Sequence, residues 1–210
     1  MKTLTLSLVL ISLTSACFAQ KAELDRLKAG LESAQNPVEF LKSKKKKKYR
    51  IDTVFITSNV TFASSLDSLA YKGQVRKAYG PFSGDSVLLQ VIGKAPNMFY
   101  HAQQIFLDTS KMRKEVAGKL ADSIIARVKR KEKSFGDMAR VYAMDGSGTK
   151  EGELGWRARG TLLPQLESAI LKHKKGDMFK TYSPYGLHII YIKDSPKQDI
   201  GFVLLLRVFL

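Results

Sequence analysis

The sequence contains few of the cysteine and histidine side chains that serve as thiol nucleophiles or transition-metal ligands. Cys17 is the only cysteine, and the three histidines, His101, His173 and His188, are too scattered to suggest a metal cluster. Cys17 lies in an N-terminal segment that we expect to be removed, which would leave no thiol for a disulfide, a metal site or covalent catalysis. The sequence therefore predicts neither a cysteine nucleophile nor a histidine metal cluster.

Two polar residues lie next to the ends of segments with predicted secondary structure. Asp145 precedes Gly146 at the start of a glycine-rich loop, and His188 begins the strand-like stretch His188–Lys193. Taken alone, Asp145 is an ordinary turn aspartate, and His188 is a structural histidine bonded to a backbone carbonyl. A role in a polar site is the alternative for both residues.

The segments around these residues follow the order strand, helix, helix, loop, helix, strand. Ser110 can cap the long helix, Ser134 can cap the second, and Pro164 suits the first turn of the third. In the long helix the apolar positions recur every fourth residue; they are Met112, Val116, Leu120, Ile124 and Val128. The predicted segments are 102–107, 110–128, 134–142, the loop 146–160, 164–171 and 188–193, with a possible further strand at 201–210.

The first half of the chain shows fewer elements. Residues Lys21–Gln35 have the apolar spacing of an amphipathic helix, which Asn36-Pro37 would end. Strands are predicted at 50–57 and 86–92, with a helical turn at 66–70.

The N-terminus is typical of a secretory signal. Lys2 supplies a positive charge, residues 4–13 are apolar, and small residues lead to Ala19. The apolar run is too short for a membrane span, which needs about 20 residues. We expect export to the periplasm, with lipid attachment at Cys17 as the alternative.

The formal net charge of +16 indicates affinity for anionic surfaces in general. The densest part is Lys42–Lys48, with six lysines in seven residues. It is interpreted first as a solvated linker, and contact with an anionic membrane surface is the alternative. Nucleic acid is an unlikely partner, because no aromatic residues interrupt the lysines and no known module surrounds them.

A short internal repeat indicates a duplicated ancestry. Lys72-Gly73, Tyr79, Pro81 and Phe82 recur at the same spacing as Lys175-Gly176, Tyr182, Pro184 and Tyr185. Each set precedes a predicted strand. If the repeat is real, residues 50–95 are a degenerate second copy; chance is the alternative.

The motifs of residues 98–194 resemble the parvulin-type (PpiC-like) rotamase domain found in SurA-like and PpiD-like periplasmic chaperones. The resemblance rests on AQQIFLD, FGDMARVY, GELGW, RARGTLLPQLESAI and KKGDMFKTYSPYGLHIIYI, and on their spacing. It implies peptidyl-prolyl cis-trans isomerase activity on unfolded exported proteins, a reaction that needs no cofactor. The alternative is a catalytically inactive parvulin-fold module that binds peptides in the cell envelope.

The resemblance also implies the site residues. Asp145 would face the amide, His188 matches the histidine of the last strand, and Ser183 matches a threonine that orients it. Gln104 stands where the family usually has its first-strand histidine. The cup for the proline ring would be lined by Leu154, Leu162 and Leu166, of which the last two replace methionine and phenylalanine.

The expected fold class is α+β: a small antiparallel sheet wrapped by three to four helices, with an N-terminal appendage. The expected domains are a signal peptide (1–19), a helix and lysine-rich linker (20–49), the degenerate copy (50–95), the rotamase domain (96–196) and a C-terminal strand or tail (197–210).

Overall fold

A computed structural model describes residues 19–44, 48–82 and 86–210 of the chain. These residues form two compact units. The first unit comprises the described residues within 1–54, 72–94 and 203–210, and the second comprises residues 55–71 and 95–202. The predicted signal segment lies outside the described residues except for Ala19, and so does the middle of the lysine run, residues 45–47.

Six α-helices occur in the described parts of the chain. They are α1 (residues 19–33), α2 (Pro37–Ser43), α3 (Ser65–Lys72), α4 (Lys114–Lys129), α5 (Phe135–Tyr142) and α6 (Pro164–Ile170). A 3₁₀ turn, Ser147–Lys150, follows α5. Among the residues that the structure describes, no helix is both long and apolar enough to cross a membrane.

Six strands accompany these helices. They are β1 (Tyr49–Phe55), β2 (Ala78–Tyr79), β3 (Val87–Asp108), β4 (Glu153–Ala158), β5 (Met178–Ser183) and β6 (Gly186–Phe209). The two longest strands, β3 and β6, contribute residues to each unit. The expected α+β class, with an antiparallel sheet and helices, is confirmed.

The first unit places its strands in the order β1–β6–β3–β2. Leu27 and Leu31 of α1 and Leu41 of α2 are buried against Leu88, Leu206 and Val208. The end of α1 is fixed by the buried side chain of Gln90, whose amide donates to the Leu31 carbonyl at 2.8 Å and to the Arg76 carbonyl at 2.7 Å. The predicted helix Lys21–Gln35 is present as α1, which begins and ends two residues earlier than predicted.

The second unit is built on β3 and β6, which are neighbours, with β4 paired antiparallel to β3 and β5 antiparallel to β6. Side chains alternate along both long strands, so the sheet carries two apolar clusters. The first cluster joins strand residues to α4 and α5; it contains Ile105, Leu107, Ala117, Ala121, Ile124, Phe135, Met138, Ala139, Leu187 and Ile189. The second joins strand residues to α6; it contains Tyr100, Ala102, Leu166, Ile170, Phe179, Ile190 and Ile192.

Two predicted strand boundaries are wrong. The strands predicted at 86–92 and 102–107 are one continuous strand, β3, and those at 188–193 and 201–210 are likewise one strand, β6. The unpredicted middle of each strand contains a proline, Pro96 in β3 and Pro196 in β6. A proline and the residue before it favour extended backbone, so each strand continues through its proline and loses only one N–H donor.

The long helix also differs from the prediction. Its N-cap is Arg113, not Ser110, because the backbone and hydroxyl groups of Ser110 donate to the Asp108 carboxylate in a preceding turn. Val116 is 44% exposed, while the small residues Ala117 and Ala121 are buried. The other two helix starts are confirmed: Ser134 forms a capping box with Asp137, and Pro164 lies in the first turn of α6.

Candidate functional site

The alternation of side chains along the long strands positions the site. Ile105 and Leu107 of β3 and Leu187 and Ile189 of β6 belong to the cluster under α4 and α5. The even-numbered residues of both strands therefore point the other way, toward α6. Gln104 and His188 lie on that α6 face of the sheet, and both are buried.

A continuous chain of hydrogen bonds joins the four predicted polar residues. Ser183 Oγ lies 2.8 Å from His188 Nε2, and His188 Nδ1 lies 3.0 Å from Gln104 Oε1. Gln104 Nε2 in turn lies 2.9 Å from Asp145 Oδ2. The structure thus brings Asp145, Gln104, His188 and Ser183 together from three separate stretches of sequence, since Ser183 and His188 belong to one hairpin.

The polarity of this chain follows from the chemistry of its members. An ionised carboxylate only accepts hydrogen bonds, so the amide nitrogen of Gln104 donates to Asp145 and its oxygen faces His188. That oxygen needs a donor, which assigns the ring proton of His188 to Nδ1. Nε2 is then an acceptor, and the Ser183 hydroxyl donates to it. Every donor along the chain points toward Asp145.

The surroundings of His188 favour its neutral form. The imidazole is buried and its ring centroid lies 4.9 Å from that of Phe106. Burial lowers the pKa of His188 below its ordinary value, and the negative charge of Asp145 opposes this shift without cancelling it. A neutral imidazole agrees with the proton assignment above, because it offers one donor and one acceptor.

Asp145 lies at the exposed end of the chain, where the loop after α5 turns. Its Oδ1 accepts from the backbone N–H of Ser147 at 3.1 Å and from the Ser147 hydroxyl at 2.5 Å. The first of these bonds is a turn interaction typical of aspartate. The two interpretations of Asp145, as a turn residue and as a member of a polar site, are therefore compatible. One carboxylate oxygen stabilises the turn and the other accepts from Gln104.

Gly152 allows the same loop to approach the first strand. Its carbonyl accepts from the backbone N–H of Gln104 at 2.7 Å, and its φ of 75° lies in the left-handed region. A side chain at this position would collide with the Gln104 carbonyl. The glycine therefore helps to hold the loop that carries Asp145 against β3.

The three predicted cup residues lie in one apolar cluster on the α6 face. Leu166 is part of its buried core at 3% exposure, and Leu154 and Leu162 pack against it while half-buried. Leu154 and Leu162 can thus contact a ligand, whereas Leu166 supports them from below. The apolar floor that these leucines form therefore has two accessible members, because Leu166 is a core residue.

Sequence reasoning missed several contacts of the site. The Phe106 ring packs on His188, the Ser147 side chain and backbone hold Asp145, and the Tyr185 N–H donates to Ser183 Oγ at 3.2 Å. Phe106 follows Gln104 by two residues on one strand, so strand alternation could have identified it. Strands β4 and β5 were also missed, although Leu154 and Ser183 lie on them.

His101, for which the sequence indicated no role, is held between carboxylates. Its Nδ1 lies 2.8 Å from Asp194 and its Nε2 2.9 Å from Glu153, and its ring stacks on Trp156. These contacts fasten the start of β4 to β3 and β6. Within the described residues, no group of three or more His, Cys, Asp or Glu side chains is arranged to hold a metal ion.

The second unit thus contains a sheet flanked by α4, α5 and α6. One face of this sheet carries both the hydrogen-bond chain of the neutral His188 and an apolar cluster. This is the arrangement expected of a parvulin-type domain. Residues 87–196, more than half of the 210-residue chain, match the family model described as PPIC-type PPIASE domain. The chain belongs to this family. The predicted class, a parvulin-type peptidyl-prolyl isomerase domain, is confirmed by that match.

Several individual proteins are similar to parts of this chain. The chaperone SurA of Chromobacterium violaceum is 35% identical over 113 residues, covering 52% of this chain and 26% of that protein. The chaperone SurA of Dechloromonas aromatica is 30% identical over 103 residues, covering 48% of this chain and 23% of that protein. A crystal structure of a PpiC-type peptidyl-prolyl cis-trans isomerase domain is 24% identical, with a TM-score of 0.45, and covers 50% of this chain and 94% of that domain. This chain thus spans about a quarter of the length of these SurA relatives.

Proposed function

We propose that this protein catalyses cis–trans isomerisation of X–Pro bonds in unfolded polypeptides. The observation that carries the proposal is the polarised chain from Ser183 through His188 and Gln104 to Asp145, on the same sheet face as an apolar floor of leucines. The family match and the SurA relatives support the same reaction class.

The reaction suits a site without a metal or a nucleophile. Amide resonance opposes rotation about the X–Pro bond with a barrier of roughly 20 kcal/mol, and no covalent bond breaks. A catalyst needs only to bind the twisted amide more tightly than either planar isomer. An apolar surface for the proline ring and fixed polar groups near the amide meet this requirement.

In this proposal the residues divide into two roles. Leu154 and Leu162 contact the proline ring, and Leu166 supports them. Asp145 faces the amide carbonyl, where its negative charge disfavours the resonance form that places negative charge on the carbonyl oxygen and so weakens the double-bond character of the C–N bond. Gln104, His188 and Ser183 are positioning residues, because they act on the amide through Asp145 and through one another.

A second function, peptide binding without catalysis, is favoured by one observation. Leu166 is almost fully buried, so the floor offered to a proline ring consists of two half-buried leucines. A smaller apolar contact weakens recognition of proline in particular. In this alternative the groove binds extended chains whether or not they contain proline.

Exchange spectroscopy on a proline-containing tetrapeptide tests the first function. The full chain is compared with Asp145→Ala, His188→Ala and the control Asp122→Ala, which removes an exposed carboxylate that is bonded to Lys180 on the outside of α4. We expect the wild type and Asp122→Ala to accelerate exchange equally. Both site variants should lose most of the acceleration, by about tenfold or more.

The outcomes separate the two functions. If the wild type does not accelerate exchange above buffer, the isomerase proposal is wrong. Binding of a labelled peptide and of its proline-to-alanine counterpart is then measured, and equal affinities identify the binding module. Circular dichroism of each variant shows whether a loss of activity reflects a loss of folding.

We also propose that the protein works on exported clients in the periplasm. The charged and apolar pattern of residues 1–19 supports export, and a SurA-like periplasmic protein is among the solved structures that this chain resembles. Cleavage after Ala19 is expected, with lipid attachment at Cys17 as the alternative. Mass spectrometry of the protein from a periplasmic fraction distinguishes the two, since cleavage after Ala19 leaves Gln20 as the first residue.

A further inference from the structure

The part of β4 that carries Leu154 contains a β-bulge. Gly155 is paired with Ala102 and Glu153 with Gln103, so Leu154 between them has no partner on β3. Gly155 has a φ of 69°, in the left-handed region. A bulge of this kind bends its strand and changes the direction of a side chain. Here it determines how Leu154 lies against the apolar cluster of α6.

The Glu153 carboxylate spans this bulge. Its Oε1 accepts from the Gly155 N–H at 2.7 Å, which closes a hydrogen-bonded ring around Leu154. The same oxygen lies 2.9 Å from Nε2 of His101 on β3. The other oxygen, Oε2, accepts from Lys193 Nζ at 2.7 Å. The conformation of the bulge therefore depends on the groups that hold Glu153.

His101 is held at both of its ring nitrogens. Besides the contact with Glu153, its Nδ1 lies 2.8 Å from Asp194 Oδ2. Its ring stacks on Trp156 with the centroids 5.1 Å apart, and Lys197 Nζ lies 4.2 Å from the centroid of Trp156. An ionised carboxylate only accepts hydrogen bonds, and a neutral imidazole donates from one nitrogen only. The doubly protonated ring is therefore the form that satisfies both carboxylates.

The neighbouring charges keep both carboxylates ionised. Burial alone would raise the pKa of Glu153, but the hydrogen bonds from Lys193 and a backbone N–H hold this pKa below its ordinary value. Hydrogen bonds from Lys175 and His101 lower the pKa of Asp194. The two lysines have long flexible stems and are partly exposed. The planar ring of His101, fixed at both nitrogens, is thus the more rigid anchor for Glu153.

We propose that His101 is a positioning residue, which holds the bulge in the conformation that presents Leu154 to a proline ring. This inference rests on the proposed function, in which Leu154 contacts that ring. His101 does not touch the substrate and acts through Glu153. A contact with the proline ring is made in the ground state and in the transition state alike, so its loss raises KM and leaves kcat nearly unchanged.

A double-mutant cycle with the full chain tests this role. His101→Phe keeps an aromatic ring and removes both donors, and Leu154→Ala removes the contact with the proline ring. The matched control Lys175→Gln breaks an ion pair with Asp194 without touching Glu153. For each variant, and for His101→Phe/Leu154→Ala, we would measure kcat and KM for a proline tetrapeptide and Kd for the labelled peptide. Circular dichroism checks the folding of each variant.

The expected pattern separates positioning from a general loss of stability. Leu154→Ala should raise KM about tenfold, as expected when apolar contact is lost from a pocket. His101→Phe should raise KM about threefold to fivefold, since it displaces the same side chain without removing it, and kcat should stay within about twofold of the wild type. Lys175→Gln should match the wild type. The double variant should match Leu154→Ala, because two residues that act through one contact are not additive. Multiplied losses in the double variant, or an unchanged KM in His101→Phe, would overturn the proposal.

Trp156 provides a second measurement, because it is the only tryptophan in the chain. A protonated imidazole quenches indole emission more strongly than a neutral one does. The emission of the wild type should therefore rise as His101 loses its proton with increasing pH, and His101→Phe should lack this rise. The same rise in both proteins would refute the doubly protonated ring.

The peptide affinities distinguish this inference from the catalytic proposal. If the wild type shows no isomerase activity but Kd follows the pattern expected for KM, the catalytic proposal is wrong and the role of His101 stands. If activity is present and His101→Phe changes neither KM nor Kd, the role of His101 is wrong and the catalytic proposal stands. A wild type that neither binds nor isomerises the peptide would refute both.

Discussion

Replacement of Gln104 by methionine tests the polarity of the site most directly. Methionine keeps the length of the side chain but removes both the acceptor for His188 Nδ1–H and the donor to Asp145. His188 is 4% exposed, so water cannot readily replace the lost partner. An unsatisfied buried donor costs about 1–3 kcal/mol, and we expect the free energy of unfolding to fall by about 2 kcal/mol. The isomerase kcat/KM should fall about tenfold, which corresponds to about 1.4 kcal/mol of transition-state stabilisation.

Gln103→Met is the matched control for this substitution. Gln103 is 8% exposed and Gln104 9%, and the amide of Gln103 donates to the Glu151 carbonyl at 3.0 Å, outside the polar chain. Gln103→Met should lose stability by about 1 kcal/mol and keep its activity. Nitrogen chemical shifts of the His188 ring report the tautomer, which should stay Nδ1–H in the control and become mixed in Gln104→Met. If the tautomer and the activity of Gln104→Met match those of the control, Gln104 does not position His188 and the reasoning is refuted.

Two further predictions concern the histidine and the leucines. Because burial holds the folded pKa of His188 below its unfolded value of about 6.5, the contribution of this group to stability is present above that pH and is lost as the pH falls toward the folded pKa. Urea unfolding should therefore show the wild type losing more stability between neutral and mildly acidic pH than His188→Gln does; parallel profiles would contradict this. Leu166→Ala should cost about 2–5 kcal/mol of stability, whereas the half-buried Leu162→Ala should cost less and should raise KM for a proline peptide. Equal stability losses in the two variants would show that Leu162 is also a core residue.

The sequence predicted the helices of the second unit better than its strands. Capping chemistry is local, so Ser134 with Asp137 and the proline at 164 indicated two helix starts that the structure contains. The predicted start of the long helix was wrong because a serine such as Ser110 can cap a helix or stabilise a turn. Here Ser110 donates to the carboxylate of Asp108, two residues earlier, and the segment forms a turn. The prediction that Val116 packs in the core was wrong because a four-residue spacing drifts around a helix of 3.6 residues per turn. The neighbouring Ala117 is buried instead.

Strand length was the larger error, and its cause is physical. The predicted strands ended before Pro96 and Pro196, although extended backbone accommodates proline wherever its missing N–H is not needed. Strand pairing is also set by partners distant in the chain, which local propensity does not contain. Met178–Ser183 was missed for that reason, since its strand character comes from pairing with β6. The domain boundaries predicted for residues 50–95 and 96–196, and the duplication behind them, remain predictions.

The members of the site were predictable from family motifs, but its directionality was not. A pair of imidazoles has two proton arrangements that carry opposite polarity, and the environment must select one of them. A glutamine amide has one end that only donates and one that only accepts, so Gln104 next to an ionised carboxylate leaves a single arrangement. Gln104, at the position where the family usually has a histidine, therefore holds the neutral form of His188 in one tautomer. A prolyl isomerase needs no proton transfer, so a site with fixed hydrogen bonds loses nothing that the reaction requires.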